Sequence, residues 1–198
     1  MDFCKTETYQ CLARSFAGES QAGMRYQLIA KQANAMGFKI LADAIKDIAK
    51  NETYHAKAFY DKLTAHIDGE KKIRLNGDYP FWFGTLEENL RHAADGEKEE
   101  HEFIYRDFGS IAKAEGFSDI ASLYFRIAEI EKNHEIVFTY LANAVKEGKL
   151  YKHDHPSVWI CSECGYMHTA EEAWKVCPVC GRPQGEVYLH LPFQGEEK

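Results

Sequence analysis

The sequence has no apolar run near the ~20 residues that a membrane-spanning helix needs. It also has no basic surplus: 24 Lys and Arg stand against 31 Asp and Glu, a net charge of −7. That balance argues against nucleic acid or an anionic membrane surface as the main partner. The opening residues, MDFCKTETYQC, lack the basic and then apolar regions of a secretion signal, so a cytoplasmic protein is expected. No G-x-G-x-x-G follows a strand-like run, so any dinucleotide chemistry belongs to another protein. Cysteines number only six, and four of them form two CxxC pairs. In a reducing compartment those pairs read as a metal site, not a disulfide framework. Cys4 and Cys11 are left over. Seven residues apart on one helix they lie roughly 10 Å from each other, too far to pair, and they read as small buried hydrophobes.

What is present is helical. The chain has 198 residues and is 45% apolar, enough for one sizeable core and a small satellite domain. Residues 6–148 read as four long helices. The first runs from about Thr6 to Ala35, and MGF at 36–38 turns the chain into the second, which ends near HIDGE. Residues 68–84, with Gly69, Gly77, Pro80 and Gly84, break the pattern. So long a connection is expected to cross the bundle and join two parallel-running neighbours. Thr85 is the expected N-cap of the third helix, with Glu87 and Glu88 in its first turn. Gly116 is its stop, Ser118 or Asp119 the cap of the fourth helix, and Gly148 the end of that one. A polar linker at 149–157 then leads to a short cysteine-punctuated domain, 158–198.

One stripe in the second helix carries an oddity. Phe38, Leu41, Ile45, Ile48 and Phe59 follow steps of three and four, yet Glu52 and His55 occupy the same stripe. The fourth helix repeats this with Ile120, Tyr124, Ile127, Phe138, Leu141 and Val145 around Glu131 and His134. Each ExxH follows a lone core-facing glutamate: Glu52 comes 33 residues after Glu19, and Glu131 comes 34 after Glu97. The chain thus reads as two similar hairpins. The third helix adds Glu100, whose counterpart in the first hairpin is Ala22.

Five carboxylates and two imidazoles at one level of a core need counter-charge, because one unpaired buried carboxylate alone costs several kcal/mol or more. No lysine or arginine falls at matching positions. Two divalent or ferric ions supply four to six positive charges, which brackets the five negative ones. Positions i and i+3 share a helix face, and carboxylate-rich sites with a minority of imidazole suit iron or manganese better than zinc or copper. A Glu from each of two helices and an ExxH from each of the others is the known di-iron or di-manganese arrangement of ferritin-like bundles. Tyr26 and Tyr105, seven and eight residues beyond Glu19 and Glu97, are either core aromatics or donors that orient the carboxylates.

Cys161, Cys164, Cys177 and Cys180 form two CxxC knuckles twelve residues apart, a specific signal for a tetrahedral metal site. Spacing does not choose between a zinc ribbon and iron; a redox-capable bundle on the same chain favours iron. Trp159, Tyr166, Trp174 and Phe193 supply only a very small core, so the metal carries much of this domain's folding free energy.

Together these segments resemble rubrerythrin. The resemblance rests on ETYHA at 52–56, GEKEEHEFIYRDF at 96–108, EIEKNHEIVF at 129–138 and the CxxCGY…CPVCG knuckles. It implies an all-α, four-helix ferritin-like bundle (1–148) with a rubredoxin-like, zinc-ribbon-like C-terminal domain. It implies Glu19, Glu52, Glu97, Glu100, Glu131 and His134 as ligands of two irons, with His55 and Glu100 alternating on one of them. Tyr26 and Tyr105 match the family's hydrogen-bonding tyrosines, and the four cysteines hold one further iron. The implied activity is reduction of hydrogen peroxide, with electrons from rubredoxin or an NAD(P)H-dependent reductase. Rival readings are a ferroxidase or oxidase using dioxygen, or a non-catalytic iron-binding protein with a structural zinc ribbon. The short linker further predicts a head-to-tail homodimer or higher oligomer, in which each cysteine domain serves a neighbour's bundle.

Overall fold

The computed structural model describes residues 2–192; Phe193 and the rest of the tail lie outside them. Five α-helices come first: α1 (Glu7–Ala35), α2 (Lys39–Thr64), α3 (Leu86–Glu99), α4 (Tyr105–Ala114) and α5 (Ser118–Glu147). Strands β1 (Lys152–Ile160) and β2 (Met167–Glu172) come after them. Between α3 and α4 the chain makes a π-helical turn, Glu100–Ile104, so the expected third helix is one rod with a single wide turn in it.

Local signals set most helix ends. Thr6 accepts from the Tyr9 N–H, and Thr85 and Glu88 form a reciprocal capping box. Gly116 and Gly37 take φ values of +91° and +87°, the left-handed conformation that turns each hairpin. The expected cap at Ser118 or Asp119 is absent. Helix α5 starts behind Phe117 without a side-chain cap, and Asp119 instead accepts from Lys62 Nζ at 2.6 Å. The glycine turn already delivers the chain in helical register, so a capping side chain is not needed to start it.

Helices α1 and α2 form one hairpin, and α3, α4 and α5 form the other. Two apolar clusters fill the bundle. Leu12, Phe59, Phe108 and Tyr124 lie at one end, and Ile29, Leu41, Leu90 and Phe138 at the other. The C-terminal end of α2 thus shares a level with that of α4, so the two hairpins are joined in parallel across the diagonal. Helices α2 and α3 have no close backbone approach and meet only through side chains at the bundle centre, which corrects the expectation of adjacent neighbours: the crossover packs over α1 instead. Its far end is pinned there, where Asn89 bonds both the Gly84 backbone and the Gln32 side chain. No described helix is long and apolar enough to cross a membrane.

Strand β1 begins inside the stretch expected to be a linker, and it pairs antiparallel with β2. Its Trp159 is fully buried, donating to the Ala170 carbonyl at 3.0 Å. Trp159, Ala173 and Val187 belong to the same apolar cluster as the end of the bundle, so the small domain shares a core with the helices. Gly185 sits against the Gly37 turn so closely that any Cβ would collide with the Gly37 carbonyl. Lys39 Nζ reaches Glu186 at 2.9 Å across the same seam.

Candidate metal centres

Midway along the bundle, between the two apolar clusters, lies a layer of buried acids. Glu19, Glu52, His55 and Glu131 bring ligand atoms within 4.8 Å of one another, and so do Glu52, Glu97, Glu131 and His134. Glu52 and Glu131 belong to both groups. Each ExxH therefore gives one carboxylate that faces two positions and one imidazole that faces a single position.

The contacts within each group are short. His55 Nδ1 lies 2.9 Å from Glu131 and 3.1 Å from Glu52. His134 Nδ1 lies 2.8 Å from Glu131 and 3.0 Å from Glu52. Yet Glu52 Oε1, both oxygens of Glu131, Glu97 Oε2, Glu19 Oε2 and His134 Nδ1 are buried without a hydrogen bond. His55 Nδ1 and Glu52 Oε2 do hydrogen-bond, but for the other atoms the distances suit hydrogen bonding and the directions do not, as when lone pairs aim at common points between the side chains. Donors about 2.1 Å from one cation at right angles sit roughly 3 Å apart, so the residues fit a pair of ions. The donor set, carboxylates with one imidazole per position, is that of iron or manganese.

Protonation in the metal-free layer shows how strongly it calls for positive charge. Burial lowers the His55 imidazole, but Glu131 and Glu52 outweigh it and raise it to about 9. The same opposition, with Glu97 added, holds His134 well above its ordinary value. Burial pushes Glu52 up, but both imidazoles bring it down to about 2. Burial, with Glu52 beside it, raises Glu97 to about 8. Among the described residues no lysine or arginine pairs with these carboxylates.

The tyrosines connect the hairpins crosswise. Tyr26 on α1 donates to Glu97 on α3, and Tyr105 on α4 donates to Glu19 on α1. Of the two readings open in the sequence, the structure has both: each ring is buried in the core, and each hydroxyl fixes a carboxylate of the opposite hairpin. Asn51 lies against the outer nitrogen of His134, 3.3 Å from Nε2, a neighbour that no sequence signal announced.

Glu100 stands apart. It opens the π turn, is only half-buried, and joins neither group of four. Burial and the charges of Glu97, Glu131 and Glu52 raise its carboxyl well above the usual range, and Arg25 acts in the opposite direction. His55 occupies the position for which Glu100 was expected to compete.

At the second centre, Cys161 and Cys180 have Sγ atoms 3.6 Å apart, and Cys164 and Cys177 3.7 Å. A tetrahedron of sulfurs about 2.3 Å from a central ion has edges near 3.8 Å. Burial raises the Cys177 thiol, but the backbone N–H groups of Cys180 and Val179 outweigh it and bring it to about 7. Amides turned toward sulfur stabilise thiolate, the form that binds metal.

The family profile described as Rubrerythrin matches residues 10–142. The chain belongs to the rubrerythrin family. The rubrerythrin rubredoxin-like domain matches residues 159–186. Rubrerythrin-1 of Clostridium acetobutylicum is 37% identical over 90% of this chain and 92% of its own length. Rubrerythrin of Nitratidesulfovibrio vulgaris is 33% identical over 93% and 94%. The fold also matches solved structures of nigerythrin in a mixed-valence state (TM-score 0.62, 24% identity, 96% of this chain and 94% of that one) and of Desulfovibrio desulfuricans bacterioferritin (0.64, 24%, 72% and 82%). The family's di-iron site and rubredoxin-like iron thus have residues here that could bind them: the layer of carboxylates and histidines, and the four cysteines.

Proposed function

We propose that this chain is a peroxidase that reduces hydrogen peroxide to water, drawing electrons from an external NAD(P)H-dependent reductase or a rubredoxin. One observation carries the reading. A site built to hold two metal ions through shared Glu52 and Glu131 lies on the same chain as a Cys4 centre suited to single-electron relay. Reducing one peroxide consumes two electrons and two protons and yields two waters, which matches a two-ion store refilled by a one-electron relay. When bound, the di-iron pair supplies redox and Lewis-acid chemistry.

The chain's own residues set the conditions for this. Glu19, Glu52, His55, Glu97, Glu131 and His134 would hold the two irons, with Glu100 available at the edge. Tyr26 and Tyr105 keep Glu97 and Glu19 oriented while the charge of the centre changes. The two apolar clusters above and below exclude bulk water from the layer.

The reading extends to assembly. Within one chain, the cysteine domain touches α2 at Lys39, thirteen residues and about 20 Å along the helix from Glu52. Electron tunnelling falls off steeply with distance, so its own bundle is poorly placed to receive its electrons. A groove of about 1110 Å³ runs along α2 and α5 to Asn51 and His134, and is also lined by Ser162, Glu163, Tyr188 and Leu189 of the chain's own cysteine domain. It would seat the cysteine knuckles of a second copy in a head-to-tail dimer.

Stopped-flow mixing of the fully reduced, iron-loaded protein tests the activity. Oxidation by hydrogen peroxide should outpace oxidation by dioxygen. Faster reaction with dioxygen would move the assignment to an oxidase or ferroxidase, and zinc at the cysteines would remove the relay.

A further inference from the structure

A small cavity of about 130 Å³ lies between α1, the π turn and the crossover. Its inner wall includes Glu100 and Tyr105, and Tyr105 donates to Glu19, so it abuts the metal layer. Two further features set it apart. Three buried donor atoms on residues that line it, Arg25 Nε, Arg25 Nη1 and Tyr79 Oη, have no hydrogen-bond partner. Gly18 and Gly96 also line it, and each sits in a helix interior immediately before a lone ligand glutamate.

Those glycines have no packing reason to be glycine. Neither has a positive φ, and a Cβ built on either meets nothing within 4 Å. Glycine is the poorest helix former after proline, so two of them at equivalent places on one cavity wall keep space clear beside Glu19 and Glu97. Gly23 on the other face of α1 differs: its added Cβ would touch the Ala49 carbonyl at 3.2 Å.

We propose that this cavity is the binding and access pocket for the peroxide substrate, with Arg25 and Tyr79 as positioning residues that donate hydrogen bonds to it. The inference rests on the peroxidase reading and adds the route and the recognising groups. Hydrogen peroxide is small and polar and accepts hydrogen bonds, which matches the volume and the three donors. The other approaches fit it less well. The opening between α1 and α2 that reaches Glu19 is walled largely by Phe16, Met24, Ala56 and Tyr60, and the groove at His134, about 1110 Å³, is far larger than peroxide needs.

The test uses the iron-loaded, oxidised full chain and azide as probe, followed by the visible absorption that azide gives on ferric iron. Gly96→Leu should slow azide association at least tenfold, and Arg25→Gln should weaken its affinity at least fivefold, both with unchanged iron content. Unchanged rate and affinity in the two variants would overturn the proposal. Gly96→Ala should raise Tm, since its Cβ enters open space. Should Gly96→Leu lose iron, Tyr79→Trp narrows the cavity from the crossover, away from the ligands, and its azide association rate decides. Peroxide stopped-flow on the same proteins separates the two readings. Slowed azide binding with a wild type inert to peroxide keeps the pocket and removes the peroxidase. A peroxide reaction as fast in Gly96→Leu and Arg25→Gln as in wild type keeps the peroxidase and removes the pocket.

Discussion

Glu52 and Glu131 each face two metal positions, whereas Glu19 and Glu97 each face one. Glu52→Ala or Glu131→Ala should therefore abolish both bundle irons together and leave the cysteine iron, as metal analysis per chain will show. Cys164→Ser should do the reverse, keeping the bundle irons while stopping their reduction by an external donor. The metal-free protein should also show a distinctive pH response. His55 holds its proton to about 9 and Glu97 to about 8, both above their ordinary values. Their stabilisation is complete where the unfolded groups are also protonated, and it is lost as pH rises through those values. Glu52, held near 2, contributes in the opposite sense, and only below its ordinary range. The Tm of the metal-free chain should therefore fall between pH 6.5 and 9, a loss on the order of a few kcal/mol, while the iron-loaded chain stays nearly flat because cations replace the protons. A flat metal-free profile measured by calorimetry would contradict this account. At this scale the sequence was highly legible, since buried charge at core positions has few solutions. Asn51, Arg25 and Tyr79 escaped because a polar residue at a helix surface or in a loop has many.

Among the elements, the π turn was written in the numbers but not read there. Glu97 precedes Tyr105 by eight residues, while Glu19 precedes Tyr26 by seven. Gly116 follows Glu97 by nineteen, whereas Gly37 follows Glu19 by eighteen, and both turn glycines stand fifteen before their ExxH glutamate. One extra residue lies between Glu97 and Tyr105, and a π turn is how a helix absorbs a single insertion without rotating the residues beyond it. Apolar periodicity still reads as one helix across it, because the stripe resumes in register. The diagonal crossover and the strand at 152–157 were less visible. Loop length constrains which ends are joined but not which side is covered, and HDHPS has little strand propensity of its own. The docking of Gly185 on Gly37 gives a test at this scale. Gly185→Ala should detach the small domain, exposing Trp159 to a red-shifted fluorescence and lowering its unfolding temperature, with the bundle's helicity by circular dichroism unchanged.

At the scale of the whole molecule, the two metal centres are held by one continuous apolar cluster that runs from Leu41 and Phe138 to Trp159 and Val187. This was the least legible feature of all. The aromatic residues of the cysteine domain read as a separate miniature core, because sequence shows which side chains are apolar but not what they meet. A domain seated in this way is no swinging arm. On the head-to-tail assembly proposed above, an iron held in this way would pass its electrons to the di-iron layer of a second chain alongside, not to its own bundle. Peroxide turnover per chain should then behave as an associating system does, rising with protein concentration and reaching a plateau once assembly is complete. Dilution alone should switch the enzyme off, with every iron still in place.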